Sequence, residues 1–176
     1  MGQIVTDREL YDLIAADRQA GRTVAFANGC FDVLHAGHVR YLAGASREAD
    51  RLVVAINDDE SERALKGEGR PILPASARAE LVAALRGVHY VVIFADRTVD
   101  RLLQLLRPDV HCKGTDYTVD TVPEREAVRA YGGRIAIVGD PKDHSTTDLL
   151  TRLQPAPSER NQVEGPALGE RKRVEG

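Results

Sequence analysis

His35 and His38 stand three residues apart in the stretch Asn28-Gly29-Cys30-Phe31-Asp32-Val33-Leu34-His35-Ala36-Gly37-His38. That spacing puts two side chains on one side of a helical turn, so both imidazoles would face a common point. An apolar, β-branched run over residues 23–27 precedes the stretch, and a segment of helical character, 39–48, follows it. A strand is therefore expected to turn into a helix here. The first amides of a helix have no acceptor inside it and lie at the positive end of its dipole, and a glycine-bearing turn lets a ligand approach the backbone. The chemistry this favours is the holding of a phosphate, with two imidazoles aimed at it.

Further donors are expected on the same edge. Residues 57–74 break the periodicity and read as a long polar loop carrying Arg63, Lys66 and Arg70, of a length that compact domains usually reserve for function or leave disordered. Lys113-Gly114-Thr115-Asp116-Tyr117 follows a short apolar run, and Ser145-Thr146-Thr147 opens a last helical segment. Cations, imidazoles, hydroxyls and free amides together suit a polyphosphate. Neither G-x-x-x-x-G-K-[ST] nor G-x-G-x-x-G occurs, which argues against a γ-phosphate kinase and a dinucleotide oxidoreductase. Each residue also admits a plainer reading: Lys66 as a solvated cation, Arg78 as the surface partner of Glu80 or Asp50, Ser145 as a simple N-cap.

The elements that must position these groups follow from the pattern of the chain. Thr6-Asp7-Arg8-Glu9 reads as a capping box opening a helix over 7–20 that Gly21 stops. Strands are expected at 23–28, 51–56, 88–94, 109–112 and 134–138, and helices at 37–49, 75–86, 99–106, 123–131 and 145–153. Alternation of this kind predicts an α/β fold, a Rossmann-like, doubly wound parallel sheet of five strands between two helical layers, with ligand across the carboxyl ends of the strands. The expected organisation is an N-terminal helix packed on the domain (1–22), one catalytic domain (23–153) and a mobile tail (154–176) of Pro, Glu, Arg and Gly too poor in apolar residues to order itself.

Bulk properties set limits. A chain of 176 residues suits one well-buried domain, and 43% hydrophobic with 29% charged residues is ordinary globular composition. A formal net charge of −3 gives no footprint for nucleic acid as a main partner. With no apolar run of spanning length and no leader-like start, the expected setting is the cytoplasm, away from membranes. Cys30 and Cys112 form neither a C-x-x-C pair nor a zinc-ligand spacing, and the expectation is that the protein itself supplies no metal ligands.

His35-Ala-Gly-His38, preceded by Gly29-Cys-Phe-Asp32, resembles the H-x-G-H signature of the nucleotidyltransferase superfamily. Over residues 23–153 the chain is most similar to the adenylyltransferase domain of ADP-heptose synthases. The matching pieces include Asn57-Asp-Asp-x-Ser61, Lys66-Gly67 with Arg70-Pro71, Arg78-Ala79, Pro108-Asp109, Lys113-Gly-x-Asp-Tyr117, Gly132-Gly133 and Ser145-Thr-Thr147. The resemblance implies transfer of AMP from ATP to D-glycero-β-D-manno-heptose 1-phosphate with release of pyrophosphate. Implied as catalytic are His35, His38 and Lys66. Cys30, Phe31, Gly37, Lys113, Asp116, Ser145 and Thr146 are implied to bind nucleotide. Asp32, Lys66 and Arg78 are implied to hold the substrate phosphate. Mg²⁺ would be the cofactor, riding mainly on the phosphates, and a homodimer or higher homo-oligomer is the implied assembly.

The pattern also departs from that family. Ala64 stands where a second arginine is expected after Ser61, and Arg97-Thr98-Val99 replaces an expected Asp-Thr-Pro. Asp140-Pro-Lys142-Asp-His144 precedes the hydroxyl cluster where glycerol-3-phosphate cytidylyltransferases carry an arginine, which leaves a role for Lys142 or His144 at the triphosphate open. A cytidylyltransferase making CDP-glycerol or a similar CDP-alcohol, and a nucleotide-binding regulatory module without turnover, are the two alternatives.

Overall fold

Strands that are buried on both faces read as unbroken apolar runs, and Val24–Gly29 (β2), Arg51–Asn57 (β3) and Tyr90–Phe94 (β4) do so here. In the computed structural model, which describes residues 1–140, they form a single parallel sheet with Gln3–Ile4 (β1), Val110–Lys113 (β5) and Arg134–Ile137 (β6). The strand order is β1-β4-β3-β2-β5-β6. Five strands match the expected segments; the sixth, β1, corrects the expected count of five. Its two residues are exposed and precede the first helix at once, so neither length nor alternation marks them. The backbone does, through Gln3 N–H donating to His89 O at 2.8 Å and Val5 N–H to Val91 O at 2.9 Å.

Thr6 and Glu9 close the expected capping box at the start of Asp7–Gln19 (α1). The other helices are Ala36–Ala45 (α2), Asp59–Lys66 (α3), Ala75–Ala83 (α4), Asp100–Leu106 (α5) and Arg125–Ala130 (α6). Leu42, Ala45, Ala79, Val82 and Ala83 pack with Ala25, Ala27, Val54 and Ile56 on one face of the sheet. Leu10, Ile14, Leu102, Leu103, Leu106 and Val128 pack with Val24, Phe26, Val53, Ala55 and Val92 on the other. Helices α2 and α4 thus form one layer, and α1, α5 and α6 the other.

Helix α3 overturns the expectation that residues 57–74 form a loop throughout. Its apolar content is too low for periodicity to show it, yet its charges follow the helix dipole. Asp58 accepts from Ser61 N–H at 2.7 Å as N-cap, acids fill the first turn, Arg63 and Lys66 the last, and Gly67 ends it at φ 91°. The polar segment that remains is short, 67–74.

Reading from β2, the chain first builds outward through β3 and β4, then crosses back to place β5 and β6 on the other side. Strand order reverses between β2 and β5. A crevice opens at such a switch point, beyond the carboxyl ends of the two strands, and in sheets of this kind it is where ligands bind. The turn with the two histidines leaves β2, and the turn with Lys113 and Asp116 leaves β5.

Candidate active site

His35 is the N-cap of α2, in extended conformation (φ −137°, ψ 171°), and Val39 N–H to His35 O at 3.2 Å is the first bond of the helix. The amides of Ala36, Gly37 and His38 are therefore left without helical acceptors. The rings of His35 and His38 stack with centroids 3.8 Å apart and planes 26° from parallel. Gly37 lies between them, half-buried, in the first turn. Amides and imidazoles thus share one helix mouth at the switch point.

Burial first, and the neighbouring His35 second, push the His38 imidazole down to about 4, against a smaller opposing pull from Asp32. His38 is neutral at pH 7 and its Nδ1 is buried without a hydrogen-bond partner. The ring is backed by Phe31, with centroids 5.3 Å apart, and Phe31 is in turn stacked on Tyr41 at 6.4 Å. Phe31 takes up φ 54° and Val33 φ 55°, strained positions for side chains with a Cβ. Gly29 permits the fold-back, since a Cβ there would stand 3.2 Å from the Phe31 ring. Phe31 is 3% exposed. Its side chain props His38 from beneath.

Asp32 and Arg78 are both engaged within the protein. The Asp32 carboxylate, 2% exposed, accepts from Ile72 N–H and Leu73 N–H at 3.0 Å and pairs with Arg70 at 3.0 Å, fastening the segment after α3 to the histidine turn. Arg78 is fully buried. It donates to Leu73 O (2.9 Å), Cys30 O (2.6 Å), Asn57 O (2.9 Å) and Asp59 Oδ1 (2.7 Å), with Glu62 Oε2 2.8 Å away but outside hydrogen-bond alignment. Four of its five N–H groups are engaged within the protein. It does not pair with Glu80 or Asp50: it pins the ends of β2 and β3 to the start of α4.

Lys66 is exposed at the end of α3, and its charge reaches Cys30 and Glu62. Among the described residues it is a cation open to solvent, as is Arg63 on the same helix. Cys30, half-buried, is pushed up to about 11 by burial and then by Glu62, so it stays a thiol; its Sγ lies 3.9 Å from Asn57 Oδ1.

Beyond β5, Asp116 is exposed in the turn, but Lys113 is 7% exposed and turned inward. Its Nζ donates to Asn28 Oδ1 at 3.0 Å and Glu124 Oε1 at 3.1 Å, and lies 5.4 Å from the Tyr117 ring centroid. Burial would raise the Glu124 carboxyl, but His111 and Lys113 outweigh it and hold it at about 2. His111 Nε2 stands 3.6 Å from Glu124 Oε2, a long contact, and the Lys113 ammonium is the charge beside the carboxylate, 3.1 Å from Oε1. Glu124 and Tyr117 carried no expected role; the sequence signal for Glu124 was its place just before α6. Ser145 and Thr146, and Lys142 and His144 with them, lie outside the described residues.

Among the described residues no group of three or more His, Cys, Asp or Glu is placed to hold a metal ion. No helix of the described residues is long and apolar enough to cross a membrane.

A parallel sheet with the strand order reversing over a histidine-bearing helix mouth defines a class, and comparison with known proteins agrees: the chain belongs to the cytidylyltransferase-like family, whose model matches residues 26–158. Among particular relatives, it is 45% identical over 151 residues to the bifunctional protein HldE of Alcanivorax borkumensis, covering 86% of this chain and 32% of that protein. It is 48% identical over 151 residues to HldE of Bradyrhizobium sp., covering 86% and 31%, and 44% identical over 144 residues to that of Syntrophotalea carbinolica, covering 82% and 29%. The chain thus spans about a third of the length of these relatives. The crystal structure of a lipopolysaccharide core biosynthesis protein from Thermoplasma volcanium has the same fold, with a TM-score of 0.58 at 24% identity, over 69% of this chain and 100% of that one.

Proposed function

We propose that the protein is an adenylyltransferase that moves AMP from ATP to a sugar 1-phosphate, D-glycero-β-D-manno-heptose 1-phosphate, giving ADP-heptose and pyrophosphate. The observation that carries this reading is the stacked His35–His38 pair at the α2 mouth, over the crevice where strand order reverses. The similarity to the HldE proteins supports the choice of sugar.

The physical demands of such a transfer fit the donors present. A phosphate monoester is already a nucleophile at pH 7 and needs no strong base. Its oxygen attacks the α-phosphorus, a new P–O bond forms, and the bond from the α-phosphorus to the bridging oxygen breaks as pyrophosphate departs. In-line positioning and neutralisation of charge on the equatorial oxygens then dominate. The amides of Ala36, Gly37 and His38 and the two imidazoles supply donors at one point. Lys66 supplies a mobile cation for the departing pyrophosphate, and the expected hydroxyls of Ser145 and Thr146 would act on the same groups.

Asp32 is engaged by two amides and Arg70, so the donor set here suits a magnesium ion carried on phosphate oxygens rather than one caged by carboxylates. Bound there, Mg²⁺ would neutralise triphosphate charge. We place the enzyme in the cytoplasm, working on small molecules as a homo-oligomer. Pyrophosphate release measured with ATP and CTP against heptose 1-phosphate and glycerol 3-phosphate tests the reading. Turnover with ATP and the heptose phosphate supports it, and turnover with CTP and glycerol phosphate alone replaces it by a cytidylyltransferase.

A further inference from the structure

Asn28 sits at the end of β2, directly before the histidine turn, and its carboxamide offers one acceptor oxygen and two N–H donors. Lys113 Nζ can only donate, and it lies 3.0 Å from Asn28 Oδ1. The oxygen is therefore committed to the face of the sheet covered by α6, and the donor end of the carboxamide points away from the ammonium. Nothing among the described residues accepts from Nδ2, which is not buried.

The ammonium that sets this orientation is itself fixed. Glu124 Oε1 holds it at 3.1 Å and the Tyr117 ring flanks it. His111, two residues back on β5 and so on the same face, stands against the other Glu124 oxygen and packs on Phe26, two residues before Asn28, with ring centroids 5.8 Å apart. Ion pair, His111 and Phe26 form a buried column behind β2 and β5, the two strands that flank the switch point, with the exposed Tyr117 ring at its outer end. A column of this kind costs desolvation, and such clusters are weak evidence for stability in themselves. What it accomplishes is to remove the freedom of one amide to flip.

We propose that Asn28 is a substrate-contacting residue of the phosphate site, donating from Nδ2 to a phosphate oxygen, with Lys113 and Glu124 as positioning residues that keep the donor end of its carboxamide facing the crevice. This deepens the adenylyltransferase reading and rests on it for the identity of the ligand, but not for the test, which reads anion binding rather than turnover.

The test is calorimetric titration of inorganic pyrophosphate into the full chain, well below the melting temperature of every variant. Asn28→Asp keeps shape and keeps an acceptor for Lys113 but replaces the donor by a carboxylate oxygen. Binding weaker by tenfold or more, with a melting temperature equal to or above that of the unaltered protein, is expected. Unchanged binding would show that Asn28 merely anchors Lys113 and would overturn the proposal. Should Asn28→Asp not fold, Asn28→Ala decides: about fivefold weaker binding supports the contact, and undiminished binding refutes it. Glu124→Gln is expected to weaken binding about threefold in the unaltered background and not at all in the Asn28→Ala background, since a positioning effect vanishes with the group it positions. Equal effects in both backgrounds would overturn the positioning role. Absence of adenylyl transfer by the unaltered protein would sink the functional reading while leaving these binding outcomes to decide the role of Asn28.

Discussion

Two imidazoles stacked in a half-dry site repel each other once charged, so His38 meets its ligand without a proton. Burial and His35 both push it down, to about 4, and a bound polyphosphate reverses the balance by placing negative charge against it. Binding should then draw a proton into the site. Titration of ATP at pH 6 in buffers of different ionisation enthalpy is expected to give heats that vary with the buffer, and the variation should disappear in H38A. If the rings act on the transferring phosphate as proposed, loss of either removes a donor, which typically costs about 3–4 kcal/mol at such a site, so H35A and H38A should each lower kcat by roughly 10²- to 10³-fold. Melting temperatures should move far less than these rates. Both histidines were legible in the sequence because a motif fixes type and spacing together. The part played by Phe31 was not, because burial beneath a ring is a property of the folded turn, with its positive φ at residue 31.

At the level of elements, Arg78 joins three others, the farthest 48 residues away from it in sequence: the end of β2 through Cys30 O, the end of β3 through Asn57 O, and α3 through Asp59 and Glu62. Removing it strands the Glu62 carboxylate, which burial already raises despite the pull of Arg78. R78A is expected to cost about 3–5 kcal/mol of stability, as for other broken buried pairs, measured by denaturant unfolding. R78K should recover little, because a lysine ammonium has three donors on one atom and cannot span these acceptors. An R78A protein with unaltered stability and a raised KM for the sugar phosphate would return Arg78 to the substrate. The sequence showed that an arginine stands at 78 on a helix, and side-chain type alone could not separate a clamp for substrate from a brace for the turn. The capping box at Thr6 and Glu9 was legible because both partners lie within one turn. Helix α3 was missed because charge rather than apolar spacing marks it, and β1 because its partner strand lies 87 residues away.

Across the whole molecule the buried titratable groups bias stability toward neutral pH. His38, His89 and His111 are all lowered, in each case chiefly by burial. The unfolded chain therefore binds protons near pH 6.5 that the folded protein refuses, and stability falls as pH drops from about 6.5 toward about 4. Glu124, held at about 2 by His111 and Lys113 against its burial, adds loss in the same direction below the ordinary carboxylate range, while Glu62, raised by burial, acts oppositely. Urea unfolding between pH 7 and pH 4 should show this decline, and H38A should flatten its upper part; a profile unchanged by H38A would mean that His38 is not buried neutral. The alternation of strands and helices made the parallel sheet and its ligand-binding edge legible from residue types alone. Among the described residues, three expected donor segments follow strands at that edge: the histidine turn after β2, the segment with Lys66 after β3, and the turn after β5. Which of their side chains are buried depended on register, and there Lys113 and Arg78 turned inward while Asn28 stayed half-buried.

The claim on which the rest depends is that the histidine pair at the mouth of α2 is where adenylyl transfer occurs. Pyrophosphate release from ATP and D-glycero-β-D-manno-heptose 1-phosphate, compared between the unaltered chain and the H35A/H38A double variant at matched fold, addresses it most directly. The account predicts release by the former and a loss of at least about 10²-fold in the latter. Equal rates from both, or ATP-dependent release from neither, would contradict it.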